Sequence, residues 1–326
     1  MPNAGKTLSF AEFMKRLWLG LSLVDGLTLC FFGYFLLRFS LVPDSPETRR
    51  ALSGFTTLMV LFCLVLVLVR GQLMSRSPLR GVVYRTTLFV VHAVAFIFFF
   101  RDALVCLQPV LLDPQLAAID RFLFGVVPAV WSAQFNSVWL TEYLSFFYLT
   151  HFLVVIYAVG PTLVTGRRDP AAIAMTTGSL ILIVAGWVIY TLVPAMGPYQ
   201  TLSFPHPIAG GVFFNATMNA VDHTGPLLDV FPSLHSAFTF FVALQLSVHA
   251  RTGFSRCLAP ILFFVDFNII LATIYLRFHY VIDVMAGLFL AWLVHRISLG
   301  YTRRIMDSDR THRIQPVFAD PLADES

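Results

Sequence analysis

Apolar residues occur along the chain in eight runs, each close to the length of a membrane-spanning helix. A helix rises about 1.5 Å per residue, so about 20 apolar residues cross the hydrocarbon layer of a bilayer. The pattern predicts an all-α protein, a polytopic membrane bundle of about eight transmembrane helices. The eight runs cover residues 17–37, 54–70, 82–100, 142–165, 172–194, 233–250, 257–276 and 280–298.

The segment 102–141 does not form a clean run. From Leu112 to Trp131 it mixes Asp113, Asp120 and Arg121 with Leu, Phe and Val. We expect an amphipathic helix that lies in the outer membrane interface, with a tightly packed extracellular hairpin as the alternative.

The composition supports the membrane interpretation and excludes a soluble domain. Hydrophobic residues form 57% of the chain, charged residues form 12%, and the mean hydropathy is +0.77. The loops between the runs are too short for a second folded domain, so one bundle is expected. The net charge of +4 favours membrane orientation over nucleic-acid binding, because no basic patch interleaved with aromatic residues is present.

The cysteines predict neither a disulfide framework nor a zinc site. They are scattered in or beside apolar runs without C-x-x-C spacing, at Cys30, Cys63, Cys106 and Cys257. The first run lacks a signal-peptidase site after it, and we expect it to act as a signal anchor.

The basic residues predict the orientation of the bundle. With eight spans, 16 lysines and arginines lie on the side of the termini and six lie on the other side. The positive-inside rule makes the terminal side cytoplasmic, and places the loop 195–232 and the turn 277–279 on the outer side. Arginine outnumbers lysine 20 to 2, which suggests a GC-rich genome and hence a bacterial inner membrane with a periplasmic outer face.

The first candidate chemical motif is Phe-Pro-Ser-Leu-His-Ser at residues 231–236, where a polar loop meets an apolar run. Ser233 is a favourable helix N-cap, and Pro232 prevents the helix from extending backwards. The free N–H groups near Ser233 and Leu234 would attract a phosphate, and His235 in the first turn could reach it. This motif predicts an anion site with a proton donor beside it.

The second motif is Arg-Phe-His-Tyr-Val-Ile-Asp at residues 277–283. His279 and Asp283 stand at i and i+4, so we expect them on one helix face, with the carboxylate holding one ring nitrogen. An imidazole oriented in this way is a competent nucleophile or base. Although 44 residues separate His235 from His279, the helix pair between them returns the chain to the same membrane level.

These two motifs resemble those of the type 2 phosphatidic acid phosphatase superfamily of membrane enzymes. Its P-S-x-H motif matches Pro232 to His235, and its H-x-x-x-D motif matches His279 to Asp283. The runs Tyr275–Asp283 and Asp120–Gly125 are similar to the branch that contains the inositol phosphorylceramide synthases.

The resemblance covers roughly residues 82–299 and implies a six-span catalytic core there. Residues 1–81 would form a two-span extension, and residues 300–326 a cytoplasmic tail without fixed structure, because the end of the chain mixes charges with prolines.

The resemblance also implies a mechanism without a cofactor or metal ion. His279 would attack phosphorus and form a phosphohistidine, while Asp283 fixes its tautomer. His235 would protonate the leaving oxygen and later deprotonate the acceptor, which is water or a lipid alcohol. Arg277 and the amides of Ser233 and Leu234 would neutralise the phosphate oxygens.

The sequence departs from the family in its positive charges. The first family motif, K-x6-R-P, is absent, because no lysine or arginine lies between Arg168 and Arg251. The third motif normally has a Ser-Arg pair upstream of its histidine, where this chain has Ala272 and Thr273. Arg277 is the nearby cation, and the other cations that could fold over the pocket are Arg49, Arg50, Arg101 and Arg121.

Fewer cations suit a phosphodiester, which carries one negative charge, better than a phosphomonoester, which carries nearly two. The sequence therefore favours a transferase that moves phosphoinositol or a similar group from a phospholipid to a lipid alcohol. A lipid phosphate phosphatase is the alternative. Tyr199 and Gln200 are candidates for hydrogen bonds to the head group.

Two further alternatives come from the same ionisable residues. A transporter would use Asp25, Asp266, His92 and His151 as a proton path, although His151, one turn after Tyr148, could also form a pocket wall. An iron site would instead be formed by His235, His279 and Asp283.

Overall fold

The computed structural model is all-helical, which confirms the predicted fold class. It describes residues 9–71, 73–74, 78–107, 110–164, 170–224, 228–250 and 253–311. A π-helical turn, Ala95–Phe99, joins two of the helices, and a 3-10 turn, Ala133–Phe135, follows another. The α-helices are α1 Phe10–Gly20, α2 Leu23–Phe39, α3 Pro46–Arg70, α4 Pro78–Val94, α5 Phe100–Leu107, α6 Asp113–Phe124, α7 Pro128–Ser132, α8 Val138–Val164, α9 Pro170–Tyr190, α10 Pro198–Thr201, α11 Val212–Thr224, α12 Leu234–His249, α13 Gly253–Tyr275 and α14 Val281–Thr311.

Six helical segments in the described part of the chain are long and apolar enough to cross a membrane. Large apolar side chains such as Leu64 and Phe264 are more than half exposed on their outer faces, as expected of surfaces that contact lipid. The chain is therefore an integral membrane protein. The segments are Pro46–Arg70, Leu79–Leu107, Val138–Gly160, Pro170–Tyr190, Arg256–Tyr275 and Val281–Met306.

The other two predicted spans form shorter helices. The run 17–37 is divided between α1 and α2, because Ser22 caps α2 and forms a reciprocal capping box with Asp25. The resulting α2 has 17 residues. The run 233–250 becomes α12, an apolar helix of 16 residues.

The irregular segment before α8 is helical, and its two acidic side chains are buried. The paired segments Asp113–Phe124 and Pro128–Phe135 meet at a bend of 72°. Asp113 and Asp120 are buried, whereas Phe122 is 88% exposed. Both carboxylates accept backbone N–H groups inside the protein, so they tie this helix to the bundle.

Helix α12 lies at the centre of the C-terminal bundle, where it packs against α8, α9, α13 and α14. Gly178 of α9 allows a close approach to α12, since a Cβ there would lie 2.3 Å from the Phe241 ring. This packing fixes the position of the first turn of α12, which carries His235.

The N-terminal helices join this bundle through α9. Phe31, Phe35, Phe55 and Phe100 form an aromatic core with Trp187 of α9. Residue 81, where the sequence predicts a boundary, lies inside α4, and helices on both sides of it contribute to this core.

The last helix extends further than the sequence predicts. It continues to Thr311, so the first part of the predicted tail, residues 300–311, is helical. The rest of the predicted tail, residues 312–326, lies outside the described residues.

Candidate active site

His235 and His279 line the same pocket, at the ends of the helices that carry the two motifs. Their ring centroids are 6.0 Å apart. The cavity measures about 120 Å³, several times the volume that a single water needs. A phosphate group can therefore lie between the two imidazoles. The rest of the described wall consists of Phe96, Tyr148, Phe152, Met196, Tyr199, Gln200, Ala220, Val221, Asp229, Val230 and Phe278.

His235 is held by two residues of α8. The Tyr148 hydroxyl lies 3.0 Å from Nε2 of His235, and the two rings stack at 4.8 Å. The His151 ring lies 4.8 Å from the His235 ring on another side. Tyr148 lines the pocket, whereas His151 lies behind His235.

His279 does not share a helix face with Asp283, which differs from the sequence prediction. Helix α14 begins at Val281, so His279 lies in the turn that precedes it. Asp283 instead accepts the Tyr280 N–H at 2.7 Å, as the third residue of a helix does in a capping box. The same carboxylate oxygen lies 3.6 Å from Nδ1 of His279. Asp283 therefore faces His279 from the cap of α14.

The environment of His279 keeps its imidazole neutral near pH 7. Burial lowers the pKa of His279 to about 4, although the nearby carbonyl of Val230 acts in the opposite direction. A neutral imidazole has a free lone pair and can act as a nucleophile. Nδ1 is the nitrogen on the Asp283 side, and Nε2 lies on the other edge of the ring.

Asp120 fixes the start of α14 and is a residue that the sequence analysis did not assign to the site. Its two carboxylate oxygens accept the N–H groups of Val281 at 2.9 Å and Ile282 at 3.0 Å. An acid among the apolar residues of this segment was the available sequence signal. Asp120 therefore positions the turn that carries His279.

Asp113 connects the two loops that meet at the pocket, and the sequence analysis did not assign it either. One of its oxygens accepts the N–H of Met196 at 2.9 Å, and the other accepts the N–H of Gly197 at 2.8 Å. The Tyr280 hydroxyl also donates to it, at 3.2 Å. The loop after α9 is thereby tied to the turn before α14.

The proposed phosphate ligands Ser233 and Leu234 lie outside the pocket lining. Ser233 occupies the N-cap position, but its hydroxyl accepts from Ser236 at 2.8 Å. Its N–H donates to the Asp283 carbonyl at 3.0 Å, so that amide is already satisfied. The Leu234 side chain packs closely against Gly186 of α9.

The proposed phosphate ligand Arg277 also points away from the pocket. Its guanidinium lies 3.9 Å from the centre of the Phe204 ring and donates to the His206 carbonyl at 2.9 Å. These contacts hold the side chain over the outer loop. Its backbone carbonyl accepts the Tyr199 N–H at 2.7 Å, so Arg277 helps to position a pocket residue.

Both candidate head-group residues, Tyr199 and Gln200, line the pocket. Tyr199 packs beside Phe278, with ring centroids 6.3 Å apart. These two residues share the cavity with His235 and His279.

Asp229 is a further pocket residue that the sequence analysis missed. It precedes the P-S-x-H motif by three residues, and its backbone forms an isolated bridge with Ala195. Burial raises the pKa of Asp229 to about 6. An acid directly ahead of the motif was the signal that could have identified it.

The described wall of the pocket contains no lysine or arginine, and the undescribed residues 225–227 contain none. Arg49 pairs with Asp44 at 2.9 Å, and Arg50 pairs with Asp102 at 3.2 Å. Arg101 and Arg121 are exposed and do not line the cavity.

Comparison with known proteins agrees with this geometry. A family model described as PAP2 superfamily matches residues 114–297, which is more than half of the chain and includes both motifs. The chain belongs to the PAP2 superfamily. No curated protein and no solved structure matches it.

Membership of the PAP2 superfamily makes the protein an enzyme of the phosphatase or phosphotransferase type that acts on lipid phosphates. The matched segment begins in α6 and ends in α14, so it contains Asp120, Asp229 and both motif histidines. The helices that build the pocket wall thus belong mostly to the shared family core.

The contacts in this PAP2-superfamily protein give the transporter alternative little support. Asp25 is ion-paired with Arg70 at 2.8 Å, and the Tyr84 hydroxyl donates to it. His92 packs in the aromatic core beside Phe31, and His151 lies against His235. Asp266 is buried in α13. The described contacts do not connect these four residues into a path.

The iron alternative requires three close ligands. In the described part of the chain, no group of three or more His, Cys, Asp or Glu side chains could hold a metal ion. His235, His279 and Asp283 therefore do not form such a set.

Proposed function

We propose that this protein is a membrane lipid phosphotransferase that moves a phosphorylated head group from a phospholipid to a lipid alcohol. The reaction is of the inositol phosphorylceramide synthase type. The observation that carries the proposal is the pair of imidazoles, His235 and His279, facing one cavity whose described wall has no fixed positive charge.

His279 is the proposed nucleophile. Its Nε2 forms a bond to phosphorus as the bond from phosphorus to the glycerol oxygen of the donor breaks. Asp283, 3.6 Å from Nδ1, stabilises the positive charge that develops on the ring. The product of this first step is a phosphohistidine and a diacylglycerol.

His235 is the proposed acid and base. In its protonated form it donates a proton to the departing glycerol oxygen and becomes neutral, and the neutral ring then accepts the proton of the attacking lipid alcohol. In the second step the alcohol oxygen bonds to phosphorus and the bond to His279 breaks. Tyr148, hydrogen-bonded to His235, holds the ring in position through both steps.

The charge of the pocket favours transfer from a diester over hydrolysis of a monoester. A phosphomonoester brings nearly two negative charges near neutral pH, and a diester brings one. The structure turns Arg277 toward Phe204 and His206, so the cation nearest in sequence to His279 is engaged outside the pocket. A monoanionic substrate is therefore the better match.

Topology and location form part of the proposal. The distribution of basic residues supports cytoplasmic termini and an outward-facing pocket, in the inner membrane of a bacterium. Residues 82–299 would form the catalytic core, with α2 and α3 as an N-terminal extension packed against it. Lipid donors and acceptors would enter from the outer leaflet beside α6.

The test is transfer by the purified protein in lipid nanodiscs. Labelled phosphatidylinositol is supplied with ceramide or diacylglycerol, and phosphatidate is supplied in parallel, with His279→Ala as the inactive control. A labelled transfer product supports the proposal. Release of inorganic phosphate from phosphatidate, with no transfer from the diester, shows that the protein is a phosphatase and overturns it.

A further inference from the structure

The charge and aromatic lining of the pocket identify the kind of head group that it fits. We propose that Asp229 and the aromatic rings of the same cavity bind the positively charged alkylammonium end of a zwitterionic phospholipid head group. This inference rests on the proposed phosphotransferase function and specifies its donor. It departs from the phosphoinositol donor that the sequence resemblance implies.

Asp229 brings a carboxyl group into a pocket that must also accept a phosphate. It lines the cavity together with both histidines, and its backbone bridge to Ala195 fixes its position. No lysine or arginine is present in the described wall to offset a carboxylate there. An acid in this wall favours a ligand that carries a positive charge in addition to its phosphate.

Like charges repel strongly where water is largely excluded. A phosphodiester with a neutral head group, such as phosphoinositol, would bring a second negative charge into the cavity of Asp229. The proton on His235 offsets only one of these charges and leaves the other without compensation. His279 does not supply that compensation, because burial lowers the pKa of its ring to about 4 and leaves it neutral. A zwitterionic head group has no net charge, and its own cation can pair with Asp229.

Three aromatic residues share the cavity with Asp229. The Phe278 ring lies 5.2 Å from the Tyr148 ring and 6.3 Å from the Tyr199 ring, and all three residues line the cavity. Aromatic faces attract ammonium groups, and clusters of them bind alkylammonium ligands. A cavity lined by a carboxyl group and three aromatic rings therefore matches an ammonium better than a polyol.

Primary and quaternary ammonium groups are both attracted by carboxylates and by aromatic faces. Ethanolamine and choline head groups are therefore separate arms of one experiment. Nanodiscs containing phosphatidylethanolamine, phosphatidylcholine, phosphatidylinositol or phosphatidylglycerol as donor are supplied with a labelled diacylglycerol or ceramide acceptor, and kcat/KM is measured for each.

We expect the wild-type protein to prefer at least one zwitterionic donor over both anionic donors by about tenfold or more. Asp229→Asn should reduce that preference about tenfold, mainly by slowing transfer from the zwitterionic donor. Asp222→Asn is the matched control, because Asp222 is exposed on α11 and does not line the pocket, and it should leave the preference unchanged.

An equal or greater rate with phosphatidylinositol or phosphatidylglycerol in the wild-type protein overturns the inference but leaves phosphotransfer intact. An unchanged preference in a folded Asp229→Asn protein also overturns it. If Asp229→Asn does not fold, the comparison of donors in the wild-type protein alone decides whether the inference holds. Absence of transfer from every donor instead contradicts the proposed function itself.

Discussion

Gly197 lies directly against the backbone of Phe278, so closely that a Cβ on Gly197 would come within 2.3 Å of the Phe278 carbonyl oxygen. Gly197 also has a φ of +84°, in the left-handed region that glycine adopts easily. Phe278 precedes His279, so this contact sets how deeply the turn with the proposed nucleophile enters the pocket. The absence of a side chain at Gly197 is therefore part of the site.

Gly197→Ala should displace that turn. We expect a loss of at least about 2 kcal/mol in the free energy of unfolding, together with a large fall in kcat, because a backbone atom must move. Gly125→Ala is a matched control, since Gly125 has a φ of +74° but open space within 4 Å of the position that a Cβ would take. It should lose about 1 kcal/mol and retain full activity. Equal activity in the two variants would contradict this role of Gly197.

Asp283→Asn should lower kcat by about 10² to 10⁴, because the amide cannot stabilise the charge that forms on His279. It should also weaken the cap of α14. Asp120→Asn controls for the second effect, because Asp120 accepts two N–H groups at the start of α14 but belongs to neither motif. Thermal unfolding and steady-state kinetics of both variants separate the effects. Comparable losses of kcat at equal folded fraction would argue that Asp283 is only structural.

His235→Ala should slow transfer from a natural phospholipid by about 10² to 10⁴, because the glycerol oxygen then leaves without a proton. A p-nitrophenyl phosphodiester has a leaving group that needs no proton, so release of nitrophenol should be largely restored. His279→Ala should be inactive with both substrates. His206→Ala, at an exposed position in the outer loop, should resemble the wild type. If His235→Ala slows the reaction equally with both donors, His235 does not act as an acid.

Asp229→Asn should stabilise the folded protein at neutral pH. Burial raises the pKa of Asp229 from its ordinary value of 3.8 to about 6, so the ionised carboxylate is disfavoured in the folded state. The free-energy cost of the ionised Asp229 to folding is complete above pH 6 and declines as the pH falls. It disappears below pH 3.8, where Asp229 is protonated in both the folded and the unfolded protein. The variant should gain about 1–2 kcal/mol at about pH 7.5 and much less at about pH 4.5, measured by unfolding in detergent. An equal gain in the free energy of unfolding at both pH values would contradict the raised pKa of Asp229.

The sequence predicted the features that depend on local pattern. Runs of apolar residues identified the six long membrane helices, and the two motifs marked the residues that meet at the pocket. It overestimated the length of one span. The capping of α2 by Ser22 divides the run 17–37, whereas α12 begins at Leu234, directly after the predicted N-cap Ser233.

The missed features depend on contacts between distant parts of the chain. Asp113 and Asp120 are about 80 and 160 residues from the loops whose N–H groups they accept, and no periodicity reports such contacts. Arg277 has a φ of +68°, which no local pattern predicts for an arginine, and its side chain is directed to Phe204. That the Arg277 side chain lies outside the pocket could not be deduced from the sequence, where Arg277 is close to His279.

The central claim is that His279 carries the phosphorylated head group between the two half-reactions. The most direct test is rapid quenching of the protein with a ³²P-labelled phospholipid donor in the absence of acceptor, followed by peptide mass spectrometry under alkaline conditions that preserve phosphohistidine. In the wild type the label should appear on His279, and it should be lost when a lipid alcohol is added before the quench. The His279→Ala protein should carry no label. Label on His235, or transfer by His279→Ala at the wild-type rate, would contradict the account.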